Sequence, residues 1–288
     1  MIFQSLNGTW MMNEKGSEAY IEAKVPGSVL SALLVQHRIQ DPYFGTNEYQ
    51  ARELFRNDYF FSREFEVMPE LMQQDRVRLC CKGIDTLSNI YINGNPVGST
   101  SNMNRTYNFD VKEYLRPGIN LITVELLSPL QYIEHYHTGY DKDIYHTPQG
   151  SMEGAQFIRK PHSQFGWDWG PQLPDMGIFR EIRLEAWSKV KLKEVFFYQE
   201  HIEGNVTLFV DPILEYTDPI PVEIVVSVTD EPASALMTRM PDPGTVNTVK
   251  GENEIGIPIR DPKLWWPNGC GKHPLYDVKV ELRKADKV

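Results

Sequence analysis

The sequence is short of cysteine, of basic charge and of long apolar runs. Cys80, Cys81 and Cys270 are its only thiols, too few for the disulfide framework of a small secreted domain. Cys80 and Cys81 are neighbours, so a strand through them sends them to opposite faces, and none of the three has zinc-ligand spacing. They read as reduced, partly buried thiols. Lysine and arginine number 29 against 39 aspartates and glutamates, a formal net charge of −10. That balance provides no basic footprint for phosphate, which argues against nucleic acid and an anionic membrane as partners. No run of about 18 apolar residues occurs, so no helical membrane span is expected. The opening MIFQSLNGTW lacks the basic segment and apolar core of a signal peptide, and a cytoplasmic location is expected unless a leader was removed. The Asn-x-Thr triplets at Asn7, Asn104 and Asn205 are then expected to be accidental. No G-x-G-x-x-G, P-loop or G-x-S-x-G pattern is present, so neither a nucleotide cofactor nor a serine nucleophile is indicated.

What is there is ordinary globular material, 41% hydrophobic and 24% charged over 288 residues, a length that favours two domains. The dominant local pattern is period-two alternation, the mark of strands with one buried face. Val77, Leu79 and Cys81 alternate with Arg76, Arg78 and Cys80; Ile182, Leu184 and Ala186 alternate with Arg183 and Glu185. Further strands are expected over 58–67 and 119–127. Asn93-Gly94 inside NIYINGNPVG is a two-residue hairpin signal, because a type I′ turn needs positive φ at both central residues. One helix is expected, over about 28–38, with Ser28 as its N-cap and Val29, Leu30, Leu33 and Leu34 as its apolar stripe. A second β region begins after the boundary near Trp187–Val190. There Val222, Ile224, Val226 and Val228 share a face, as do Tyr276, Val278, Val280 and Leu282. Short strands and frequent turns over about 100 residues suit an immunoglobulin-like sandwich. The chain stops at ELRKADKV soon after a strand, which reads as a cut or a junction to something further on.

One connection, roughly 129–177, is too long for a compact domain and too aromatic for disorder. It holds Tyr132, Tyr136, Tyr140, Tyr145, Phe157, Phe165, Trp167 and Trp169, with four of the seven histidines, His135, His137, His146 and His162. His135-x-His137 with Asp141, Asp143 and His146 permits a metal reading, but no ligand set recurs at zinc-type intervals, and hydrogen-bonding loop histidines are the expectation. Paired carboxylates for glycoside chemistry cannot be picked out from 39 acidic residues.

FGWDWGP, 165–171, is the densest motif. Indole faces are flat and apolar and cover the C–H face of a sugar ring, while a carboxylate between them accepts hydroxyl hydrogen bonds. The same residues serve equally as a structural turn, with buried tryptophans anchoring a loop and Asp168 bonding backbone N–H groups. The residue types leave both readings open, and we expect the two tryptophans to differ, one packing inward and one facing a ligand. LWWPNGCGKHPLY, 264–276, reads as a tight turn packed by aromatics, with Trp265 and Trp266 in structural roles.

Five stretches taken together resemble the N-terminal part of glycoside hydrolase family 2, and within it the β-mannosidase branch. They are LNGTW (6–10), VPGSVLSALL (25–34), DPYFGTNE (41–48), IRKPHSQFGWDWGPQLPDMGIFREIRLE (158–185) and LWWPNGCGKHPLY (264–276). LNGTW and the VPG turn recur across the family; FGWDWGP points to the β-mannosidases. The resemblance implies an all-β chain: a jelly-roll (galactose-binding-like) sugar-binding domain, 1–187, then an immunoglobulin-like β-sandwich, 188–288. It further implies a TIM-barrel catalytic domain of the same polypeptide, carrying two glutamates of a retaining mechanism, so that these 288 residues form an inactive fragment. By the same resemblance Asp168 and Trp167 bind the terminal mannose of a β-mannoside oligosaccharide or glycoconjugate. Arg159 steadies the loop or pairs with Asp168, and Trp169 and Gly170 hold the motif's structure. No metal and no cofactor is implied. The alternative is a stand-alone carbohydrate-binding module or lectin-like sandwich.

Overall fold

A computed structural model describes residues 1–139, 150–229, 235–239 and 246–284. The chain divides into two compact units, Ile2–Ala186 and Trp187–Val288, Met1 lying with the second. Both are built from antiparallel strands, and each is a sandwich of two sheets.

In the first unit the larger sheet has six strands in the order Ile21–Val25, Gly8–Glu14, Tyr59–Val67, Gly118–Leu126, Leu87–Ile92 and Asn95–Ser101. The smaller has four, in the order Ile2–Ser5, Ile182–Trp187, Arg76–Cys81 and Tyr107–Asp110. Order follows from alternation. Phe61, Ile90, Ile122 and Val124 from the larger sheet meet Val77, Leu79, Cys81, Ile182 and Leu184 from the smaller in one buried cluster. Burying each such side chain contributes about 1.5–3 kcal/mol. Asn93 and Gly94 take φ of 52° and 79°, and Ile92 pairs with Asn95 across them, as the two-residue turn requires. Sequence separation matters little to this assembly: the strand Ile182–Trp187 pairs with Ile2–Ser5, so the unit's two ends close one sheet.

The expected helix is present as Val29–Val35, and Ser28 caps it in a reciprocal box, its Oγ accepting from Ser31 N while Ser31 Oγ accepts from Ser28 N. Three more helices, Asn47–Glu53, Pro69–Met72 and Pro129–Thr138, were not expected. The last begins with a legible signal: Ser128 Oγ accepts from Gln131 N at 3.0 Å and Pro129 occupies the first turn. The other two are short and gain their order from packing rather than from propensity.

In the second unit Val190–Ile202, Asn205–Tyr216 and Ile255–Ile259 form one sheet. Ala235–Arg239, Val222–Val228 and Val278–Lys284 form the other. Val222, Ile224, Val226 and Val228 are all buried, and Tyr276, Val278, Val280 and Leu282 pack on the same core. The unit is immunoglobulin-like, and the first is a galactose-binding-like jelly roll.

Candidate functional site

The long connection of the first unit is not one loop but a series of short elements. It leaves the sheet through the helix Pro129–Thr138 and is described again from Gly150. It then makes single 3-10 turns at Ala155–Phe157 and His162–Gln164, and a hairpin of Phe165–Trp167 with Gly170–Gln172. Tyr140, Asp141, Asp143, Tyr145 and His146, named above, lie outside the described residues. His135 and His137 stand on the helix, and His162 opens the second 3-10 turn.

The hairpin is what FGWDWGP folds into. Phe165 faces Gln172 and Trp167 faces Gly170, which leaves Asp168 and Trp169 as the two turn residues. Its base is held from three sides. Met152 N donates to Phe165 O at 2.9 Å and Ser151 Oγ to Gly166 O at 2.7 Å. Gln172 Nε2 donates to Gly150 O at 3.0 Å. Gln172 N donates to Glu48 Oε1 at 2.8 Å, and Arg52 on the same helix, Asn47–Glu53, bonds Gln172 Oε1. Two motifs read separately in the sequence, DPYFGTNE and FGWDWGP, are therefore one local structure. Gly150 is obligatory in it: φ is +84°, and a Cβ there would lie 2.8 Å from Asp168 N.

The tryptophans do not divide as expected. Trp167 is 39% exposed and Trp169 75% exposed. Their rings stand 6.3 Å apart at 33°. Neither anchors the loop; Phe165, fully buried, does. Trp167 is the last paired residue before the turn, and Trp169 lies in the turn and is the more exposed of the two. Gly170 closes the hairpin against Trp167. Asp168 sits at the tip between the indoles, exposed, and among the described residues nothing hydrogen-bonds its carboxylate. A flat apolar face beside a free carboxylate is what a sugar hydroxyl pair over a C–H face would meet.

Arg159 is elsewhere. It is exposed, and its backbone carbonyl accepts from Met103 N at 3.0 Å. Its side chain lines a polar cleft of about 360 Å³ with Asn102, Asn104, Gln156 and His162. Among the described residues no ion pair joins Arg159 to Asp168. Lys160 N donates to Ile158 O at 3.0 Å in a three-residue turn centred on Arg159; Arg159 goes out and Lys160 goes in.

Lys160 is the residue that sequence reasoning missed. Its side chain is 1% exposed and is ion-paired to Asp85; its ammonium also donates to the Asp175 carbonyl. Asp175 Oδ1 in turn accepts from Leu30 N at 3.0 Å and Met176 N at 2.8 Å. Burial pushes the Lys160 pKa down against the opposing pull of Asp85. It pushes the Asp175 carboxyl up against hydrogen bonds from Ser28, Leu30 and Met176.

In the second unit Trp265 and Trp266 are 57% and 49% exposed. The tight turn they were expected to build exists, with Trp266 N on Lys272 O at 3.0 Å and Cys270 N on Pro267 O at 2.9 Å. The indoles do not fill a core, however. Among the described residues Trp265 meets the edge of His273 as its ring partner, at 5.3 Å, and both tryptophans line an apolar groove with Leu264, Leu275 and Tyr276. Trp266 does pack on the turn itself: a Cβ on Gly271 would lie 2.8 Å from its Cδ1.

Known proteins share this architecture. Residues 10–180 match the family described as glycosyl hydrolase 2 galactose-binding domain-like, and residues 190–288 match glycosyl hydrolases family 2. The beta-mannosidase of Capra hircus is 28% identical over 291 residues, covering 96% of this chain and 32% of the relative. The crystal structure of a beta-D-mannosidase from Dictyoglomus thermophilum is similar with a TM-score of 0.90 at 30% identity, over 100% of this chain and 35% of that one. An exo-chitosanase from Amycolatopsis orientalis has a TM-score of 0.69 at 14% identity, over 98% of this chain and 32% of that one, and shares the fold alone. The chain spans about a third of the length of the relatives it matches.

Proposed function

Because this chain belongs to glycoside hydrolase family 2, we propose that it is the non-catalytic N-terminal portion of a retaining exo-β-mannosidase. Its hairpin tip supplies one side of the terminal-sugar subsite. The observation that carries this reading is the projecting tip itself: Trp167 and Trp169 exposed on either side of Asp168, on a base tied to the segment 150–152 and to the helix Asn47–Glu53. Relatives named beta-mannosidase over nearly the whole chain support the substrate class.

The chemistry divides accordingly. Asp168 accepts hydrogen bonds from two hydroxyls of a terminal mannose, and Trp167 covers a ring face. A tip that projects encloses nothing by itself, whereas sugar sites are concave. The remaining walls, with a glutamate nucleophile and a glutamate acid/base, belong to a catalytic domain of the same polypeptide. A hairpin delivered from an accessory domain blocks one end of the cleft, which is why the action is exo.

Protein carrying this chain as its N-terminal portion should hydrolyse aryl β-mannosides and release β-mannose as the first-formed anomer, followed by proton NMR. Release of the α-anomer first, or no hydrolysis of β-mannosides, would contradict the proposal. The 288-residue chain alone should bind mannose only weakly by calorimetry. Tight binding by this chain would instead favour a lectin-like module.

A further inference from the structure

The segment that carries the tip leaves the body at Lys160 and returns at Asp175. Both ends meet at one buried ammonium. Lys160 Nζ donates to the Asp175 carbonyl, 15 residues further along the chain, and to the carboxylate of Asp85, 75 residues before it. Asp85, two residues before the strand Leu87–Ile92, is itself paired with the returning chain: its N–H donates to Gly177 O at 2.8 Å, its carbonyl accepts from Gly177 N at 3.0 Å, and Thr86 Oγ1 donates to its Oδ1.

An apolar side chain would fill the same volume but would not define where the two ends stand. An ammonium has three donors and no acceptor, and burying it unpaired is prohibitive. The buried ammonium is therefore satisfied only when the Asp85 carboxylate and the Asp175 carbonyl are both in place. The hairpin lies between these anchor points, five residues after the first and three before the second.

We propose that Lys160 is a positioning residue: its ammonium clasps the base of the 160–175 loop against Asp85 and so fixes where Trp167 and Asp168 are presented. The functional consequence rests on the subsite reading above. The clasp itself is tested on this chain without any sugar.

Amide exchange in the 288-residue chain is the direct readout. In Lys160→Met, amides of 162–172 should exchange roughly tenfold faster or more, while those of the central strands Tyr59–Val67 and Gly118–Leu126 keep their wild-type rates. Equal acceleration in loop and sheet, or none in the loop, would overturn the proposal. Should Lys160→Met not fold, the Asp85→Asn/Lys160→Met double variant, which leaves no buried unpaired carboxylate, is held to the same criterion. The unaltered chain offers a measurement free of mutation. Lys160 should acylate far more slowly than exposed Lys189 and Lys279, and in step with exchange of the 162–172 amides; acylation at the rate of the exposed lysines would equally overturn the clasp. In the mannoside-hydrolysing protein, Lys160→Met should add little to the loss already caused by Asp168→Ala. If Asp168→Ala alone has no effect on activity while the exchange result holds, the subsite reading fails and the clasp stands.

Discussion

Gln172 and Glu48, 124 residues apart, are joined by a 2.8 Å hydrogen bond from the backbone N–H of one to the carboxylate of the other. This bond ties the returning strand of the tryptophan hairpin to the helix Asn47–Glu53. Its acceptor is charged, and a hydrogen bond of that kind contributes about 1.5–3 kcal/mol. Glu48→Ala should therefore loosen the hairpin locally, seen as faster amide exchange at Gln172 and an increased acrylamide quenching of tryptophan emission. Unchanged exchange at Gln172 would show that the bond does not hold the strand.

Gly150 lies under the hairpin turn with φ of +84° and no room for a side chain. Gly150→Ala combines a disfavoured backbone conformation with a 2.8 Å approach to Asp168 N. It should destabilise the first unit by about 1–3 kcal/mol in urea unfolding. A neutral substitution would mean the hairpin moves away freely.

Glu125 is buried in the larger sheet, with Lys15 Nζ at 2.7 Å, Asn89 Nδ2 at 2.9 Å and Tyr91 Oη at 3.4 Å. Burial opposes its charge, but these donors outweigh it and hold the carboxyl below its ordinary value of 4.5. A carboxyl lowered on folding contributes stability that is present above its unfolded pKa and lost as pH falls through the folded one. Glu125→Gln should thus cost about 1–3 kcal/mol at neutral pH. The gap to wild type should narrow as pH falls below about 4. Urea midpoints at several pH values check this, and a gap independent of pH would contradict it.

Cys270 is exposed whereas Cys80 and Cys81 are buried, and burial pushes both buried thiols up in pKa. One thiol per chain should react promptly with an aromatic disulfide reagent at neutral pH, and the other two only on unfolding. Prompt reaction of three thiols would show that the strand Arg76–Cys81 is open to solvent.

Much of the sandwich was legible because its signals are local. Alternation at Val77, Leu79 and Cys81 needs only the period of a strand, and Asn93-Gly94 only the geometry of a two-residue turn. Ser28 was legible as a cap for the same reason. FGWDWGP was legible as a dense motif but not as a shape. Whether an indole packs or projects depends on where the turn falls, and the turn at Asp168 and Trp169 is set by Gly150 and Gln172 beneath it. Lys160 was invisible because nothing beside it in RKPHSQ marks a lysine for burial. Its acceptors come from Asp85 and Asp175, which only the folded chain brings together. Arg159, one residue away, faces solvent.

If Asp168 holds a sugar, kcat/KM of Asp168→Ala on an aryl β-mannoside is the quantity that must fall. Loss of a charged acceptor for two hydroxyls should raise the barrier by about 3 kcal/mol or more, on the order of a hundredfold in rate, with Tm unchanged because the carboxylate supports nothing in the fold. Wild-type kcat/KM in that variant would mean that Asp168 holds no sugar.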